Sequence, residues 1–259
     1  MSNLALVYHK KKANIVPFEL ISNRSIVDNN ITSEESCTKS NGKTSEVYAF
    51  RTKEEISLMI DVFDKHIEEA VNENQKQIAH RNKMLFLVGI NVGIRGSDLR
   101  TLKWSFFFEE VDGEFKFKDF YVLQPIKQRK QKKFVKLFFN QAVRQAINNY
   151  IAEYPIKNLD NYLFESRKGN DPITVRALWD IVKRAASEAG ISQNIGSHSL
   201  RKTFGFWCWH QAEDKNKALV ILQQVFNHSS TQTTAKYIGI LDDEIKDMFN
   251  SIELGLDMI

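Results

Sequence analysis

FNHSSTQTTAKYI, residues 226–238, decides how the rest of the chain is read. A polar turn holding His228 runs into a short helical stretch that carries Tyr237, with Ile238 and Ile240 as apolar neighbours. Taken by itself, Tyr237 reads as a buried ring with its hydroxyl tied up. The other reading is a nucleophile. A phenol, whose ordinary pKa is about 10, becomes one near neutral pH only in a cationic, hydrogen-bonding site. The question is whether the chain supplies that site.

Two more segments set unusual polar residues beside apolar helices. GIRGSDL, 93–99, offers Arg95; SHSLRKT, 197–203, offers His198 and Arg201, whose spacing of three puts them on one side of a helix. A basic strip, IKQRKQKKFVK at 126–136, adds Lys127, Arg129, Lys130, Lys132, Lys133 and Lys136, and HKKK at 9–12 is another. Two guanidiniums can grip the non-bridging oxygens of a phosphodiester under attack, by charge-assisted hydrogen bonds and without a metal. A histidine such as His228 can add a further bond, and a lysine beside the leaving oxygen can protonate it. Each residue also has a structural reading. Arg95 can pair with Asp98 at a helix start, His198 can cap its helix, His228 can be a partly buried ring, and a charge run is commonly a solvated face. Trp207 and Trp209, in FGFWCW, read as core packing.

In this order, over about 140 residues, the four segments resemble the catalytic domain of the tyrosine recombinase (phage integrase) family. The matching motifs are an arginine in a G-x-R-x-S-[DE]-L turn, a hairpin lysine, an H-x-L-R-x-[ST] helix and a segment ending in tyrosine. The resemblance covers about 52–250 and implies a mainly α fold with a small antiparallel β-sheet. It implies a site-specific DNA recombinase that cleaves and rejoins DNA through a 3′-phosphotyrosyl intermediate, in strand exchange of the integrase or excision type. Carried over residue by residue, the catalytic set is Arg95, Lys130, His198, Arg201, His228 and the nucleophile Tyr237. Lys130 follows from matching QRKQKK to the family's Lys-Thr-Gly hairpin. Lys127 and Lys132 stay rivals, because no glycine fixes the register here. Lys127, Arg129, Lys132 and Lys133 are the expected DNA contacts, and no metal or cofactor is implied. Asn227 stands where the family has glycine; asparagine also tolerates left-handed backbone.

The implied partners are double-stranded DNA attachment sites and further copies of the chain, as a tetramer on DNA. Ile245, Met248, Phe249 and Ile252 form a helical apolar stripe that such a tetramer would dock on a neighbour; packing on its own core is the other reading. A catalytically silent DNA-binding accessory factor of the same fold, or a topoisomerase with the same tyrosine chemistry, are the alternatives.

Composition fits these expectations. The 259 residues are 42% apolar, enough for a folded core, and carry a net charge of +4 that suits an acidic partner. Cys37 and Cys208 lack metal spacing and fit a reducing, cytoplasmic setting. The amino-terminal apolar run is too short for a signal peptide, and no stretch is long enough to span a membrane. Residues 1–48 read as an irregular arm, without the helical clamping domain many family members carry, and 49–259 as the catalytic domain. Thr52 with Glu55 makes a capping box ahead of Ile56, Met59, Ile60, Phe63 and Ile67 at helical spacing. KMLFLVGINVG, 83–93, predicts a buried helix ending near Gly93, and SDLRTLKW a short one. EFKFKDFYVL and KFVKLFF predict one sheet with the lysines at its hairpin. Further helices are expected near 141–153, 174–189 with Thr174 as cap and Gly190 as stop, 199–212, 216–226 and 242–250.

Overall fold

The computed structural model describes residues 47–127 and 133–252, with backbone alone for 241–244. All of them belong to the second of the two units into which the chain divides, Thr44–Ile259. The expected arm, as far as residue 46, lies outside the described residues, and so do Arg129, Lys130 and Lys132.

Helix α1, Lys53–Glu68, opens on the expected capping box. The Thr52 hydroxyl accepts from Glu55 N at 3.0 Å, and the Glu55 carboxylate accepts from Thr52 N at 3.1 Å. Helix α2, Glu73–Val92, is the central element and packs against α1, α5 (Gln141–Glu153) and α7 (Ser197–His210). That explains why 83–93 is apolar on every side: Met84, Leu85, Phe86 and Val88 are all buried. It stops at Gly93, whose φ of 64° is left-handed and whose missing side chain leaves room for the Phe204 ring. Short helices α3, Gly96–Leu99, and α4, Trp104–Phe107, follow.

The expected single sheet is two. Strand β1, Phe108–Val111, pairs antiparallel with β2, Glu114–Phe117; β3, Phe120–Leu123, pairs antiparallel with β4, Val135–Phe138, in the register Phe120↔Phe138. The first pair turns at Asp112 and Gly113, both with positive φ, the geometry of a tight Asp-Gly hairpin. The link between β3 and β4 carries the basic strip, as expected. Helices α6, Val175–Glu188, α8, Lys215–Phe226, α9, Thr231–Ile238, and α10, Ile240–Asn250, complete the chain of elements. Thr174 caps α6, and Gly190 follows its end at φ 71°.

The apolar residues form two clusters. A large one is built on α1, α2, α5 and α6, and a smaller one holds Phe206, Leu222, Phe226, Ile238 and Ile240. In the smaller cluster α7 lies close to α9 at Gly205. A Cβ added there would stand 2.6 Å from Ile238 Cγ2 and 2.8 Å from the Phe226 ring. Gly205→Ala is therefore expected to lower the unfolding free energy by about 1–3 kcal/mol through overpacking. Urea unfolding should show a lower midpoint at unchanged slope; an unchanged midpoint would mean the two helices separate without cost.

Candidate active site

Arg201 lies where the two clusters meet. It is only 5% exposed, and its guanidinium donates from Nη1 to Gly93 O at 2.7 Å and from Nη2 to Phe226 O at 3.1 Å. Those carbonyls belong to the carboxyl ends of α2 and α8, the negative poles of both helices. The guanidinium also lies 4.2 Å from the centre of the Phe226 ring. Burial pushes its pKa down to about 10, which leaves it a cation at neutral pH. A guanidinium has five N–H groups, so these two bonds leave others for a ligand.

Arg95 stands just past Gly93 as the residue preceding α3. It is half-buried, and its side chain makes no hydrogen bond or ion pair with any described residue. The ion pair with Asp98 is not formed. Asp98, 2% exposed, instead accepts from Ile126 N at 2.8 Å, tying the arginine turn to the start of the basic strip. Lys127 is the next residue, and its charge is felt at His198. The His198 pKa is lowered, first by the protein packed around its ring, although the residue is solvent-accessible, then by Lys127, Arg201, Arg95 and Lys202. His198 sits in the first turn of α7 but does not cap it; Ser199 does, accepting from Gly196 N at 3.1 Å.

Asn227 ends α8 in the left-handed region, at φ 52°, so the turn survives without the glycine. Its Oδ1 accepts from Lys133 Nζ at 2.7 Å, which brings the far end of the basic strip to the site. His228 follows. Its Nδ1 lies 3.1 Å from the Thr234 hydroxyl, which in turn donates to Ser230 O at 3.3 Å. With that hydroxyl proton committed, Nδ1 is the donor, and Nε2 is left without a bond to any described residue. Burial lowers the His228 pKa, and Arg201 and Arg95 lower it further.

Tyr237 lies on α9, which Ser230 caps by accepting from Thr233 N at 3.0 Å. Ile238 and Ile240, each 1% exposed, anchor the helix in the smaller cluster. The phenol ring meets His228 and Phe226 edge to face, at centroid distances of 5.1 and 5.5 Å. Its hydroxyl is buried, with no hydrogen bond of good geometry, though the Arg201 guanidinium stands within bonding reach. Burial raises the phenol pKa; the charges of Arg201 and Arg95, and the Arg201 N–H aimed at the oxygen, pull it back.

The structure thus brings Arg95, His198, Arg201, His228 and Tyr237 to one place, with Lys127 and Lys133 at its edge. Sequence reading missed Lys202, 7% exposed with Nζ 5.4 Å from the Tyr237 ring centre, and Thr234, fully buried against His228. Lys202 adjoins Arg201 within SHSLRKT, and Thr234 is three residues before Tyr237, so position beside the motifs was the available signal. Among the described residues, no group of three or more His, Cys, Asp or Glu is placed to hold a metal ion, and no helix is long and apolar enough to cross a membrane.

Comparison with known proteins bears on the family and the fold. The model of the phage integrase family matches residues 52–244. The probable integrase/recombinase YoeC of Bacillus subtilis (strain 168) is 31% identical over 178 residues, covering 68% of this chain and 88% of that protein. Tyrosine recombinase XerH of Campylobacter jejuni is 28% identical over 198 residues, covering 76% of this chain and 50% of its own length. Among solved structures, XerH bound to a palindromic difH substrate in a post-cleavage complex superposes with a TM-score of 0.55 at 20% identity, over 82% of this chain and 54% of that one. XerA recombinase gives 0.55 at 18% identity, over 82% and 65%. The two structures speak to the fold.

The cation field has a direct test. Arg95→Ala is expected to raise the pKa values of His198 and His228, and that of Tyr237 as well, since a cation opposes imidazolium and favours phenolate. The histidine shifts are read by NMR titration of the ring protons. Both folded-state values lie below 6.5, so the unfolded chain binds more protons as pH falls through that value. The folded state then loses stability on acidification, and Arg95→Ala should lessen the loss. Unmoved histidines would remove Arg95 from the site.

Proposed function

The chain belongs to the phage integrase family of tyrosine recombinases, and from that premise we propose that Tyr237 is its nucleophile, cutting and rejoining DNA at specific sites. The carrying observation is the Tyr237 hydroxyl, buried and held among Arg95, Arg201 and His228. A scissile phosphate fits the charge of such a pocket.

The chemistry follows from the charges. Arg95 and Arg201 grip the non-bridging oxygens and stabilise the negative charge that grows there. In the free protein the groups packed around their rings and the nearby cations lower the pKa of both histidines, which favours the uncharged rings. A phosphodiester entering between the arginines offsets those cations and favours protonated imidazole, so binding itself supplies further donors. The Tyr237 oxygen then bonds to phosphorus as the bond to the 5′-oxygen breaks. The phenol proton passes to solvent and the leaving oxygen takes one from a lysine of the basic strip, which solvent reprotonates, so the step balances without a cofactor. Lys130 is assigned as that acid, with Lys127 and Lys132 as rivals, and Lys127, Arg129, Lys132 and Lys133 as DNA contacts. The 3′-phosphotyrosyl ester keeps the bond energy for attack by a partner 5′-hydroxyl.

Double-stranded attachment sites are the proposed substrates, and several copies, as a tetramer, the acting form. The chain spans about half the length of XerH, so these are proposals for the whole protein as well. Support for assembly comes from α10 and the residues just after it. Ile245, Met248, Phe249 and Ile252 are 45–67% exposed and, among the described residues, pack on neither apolar cluster. A neighbouring copy would shelter them.

Incubated with a pool of nicked duplexes carrying randomised arms, wild-type protein is expected to form a detergent-resistant protein–DNA adduct that Tyr237→Phe does not form. Arg201→Ala should slow adduct formation by about a hundredfold to a thousandfold, with a smaller loss of DNA affinity. An adduct that persists in Tyr237→Phe removes the assignment.

The acid is identified separately. A 5′-thiol leaving group needs no proton, so it should restore cleavage to Lys130→Ala and leave the slow rate of Arg201→Ala in place. Rescue of Lys127→Ala or Lys132→Ala instead would move the role to that lysine.

A further inference from the structure

We propose that Arg51 is a positioning residue for the nucleophile: it holds the carboxyl end of α9, and through it the depth at which Tyr237 sits. This rests on Tyr237 being the nucleophile.

The segment ahead of α1 is bound to α7 and to the loop before it. Phe50 N donates to the Thr203 hydroxyl at 2.8 Å, and the Trp207 indole N–H donates to Phe50 O at 2.9 Å. Ala49 and Phe50 are buried, and Tyr48 N donates to Asn194 O at 2.9 Å. Thr203 and Trp207 share α7 with Arg201, so this strap is fastened to the helix that carries the buried arginine of the site. Trp207, expected as core packing, is one of its pins.

The Arg51 side chain reaches a different element. Nη2 donates to Gly239 O at 2.7 Å, and the guanidinium lies 5.4 Å from the centre of the Phe206 ring. Gly239 ends α9 two residues after Tyr237, at φ 78°, with its N–H returned to Ala235 O and Lys236 O. A cation here meets the negative pole of the helix and makes a charge-assisted bond. The two residues are fitted to one another, because a Cβ at Gly239 would stand 2.4 Å from Arg51 Nη2.

The contact matters because α9 has only eight residues. A helix that short has little stability of its own, so its pose is set by what it touches. Ile238 holds it from below, and Arg51 holds its end, just before the chain turns through a glycine into α10. Displacement of a reacting atom by about 1 Å can cost about a hundredfold in rate. Gly239 is none of the groups assigned to the phosphate, so loss of its bond to Arg51 should slow the chemical step and spare DNA binding.

On a nicked duplex at saturating protein, Arg51→Gln is expected to form the covalent adduct about tenfold to about a hundredfold more slowly than wild type. The dissociation constant for that duplex, measured in a Tyr237→Phe background, should not change. Arg51→Lys, which keeps charge and a donor, should recover much of the rate, and millimolar guanidinium ion should restore part of it to Arg51→Ala. A wild-type rate in Arg51→Gln, or a loss of affinity as large as the loss of rate, overturns the proposal. Hydrogen exchange without DNA separates it from the identity of the nucleophile. Amides of 235–240 should exchange faster in Arg51→Gln while those of α2 do not. Equal exchange at 235–240 overturns the proposal, including where wild type yields no adduct.

Discussion

The guanidinium of Arg201 is a buried charge, and the geometry of the site follows from how that charge is accommodated. Removing such an ion from water costs of order several kcal/mol unless close partners replace the lost hydration. Gly93 O and Phe226 O are those partners, each at the carboxyl end of a helix, so α2, α7 and α8 are bound to meet at one point. No carboxylate neutralises the guanidinium through a direct ion pair among the described residues; carbonyl dipoles do the solvating. The charge therefore keeps its reach toward an anion, and remaining N–H groups are left to bind one.

The residues around that point inherit their states from it. Burial would leave Tyr237 an inert phenol; Arg201 and Arg95 oppose that tendency without removing it. The same cations add to the desolvation of both rings in lowering the His198 and His228 pKa values. In the proposed reaction an entering phosphate would offset the charge of the arginines and favour the protonated histidines. The Thr234 hydroxyl, committed to Ser230 O, orients the His228 ring.

Local signals in the chain were strong where one element specifies itself. The Thr52 box, the stop at Gly93 and the cap at Thr174 lie where side chain and backbone within a few residues determine the outcome. The constellation was legible too, since Arg95, His198, Arg201, His228 and Tyr237 stand in motifs whose order is informative. What was not legible depends on distant partners. Strand β1, with Glu109 and Glu110 at its centre, lacks an apolar alternation, so the sequence pattern predicts one sheet where the described residues form two. Asp98 reads as a partner for Arg95 next to it, yet bonds to Ile126, 28 residues away. Arg51 meets Gly239 across 188 residues, which no local pattern announces. Lys130, placed by analogy with a hairpin that has a glycine, lies outside the described residues.

A tyrosine nucleophile at position 237 fixes where DNA becomes attached to the protein. Digestion of a trapped protein–DNA adduct with protease and nuclease, followed by mass spectrometry of the nucleotide-bearing peptide, reads that position directly. The predicted result is a single peptide carrying a 3′-linked nucleotide on Tyr237. A nucleotide on any other side chain, or linkage through a 5′-phosphate, would contradict it.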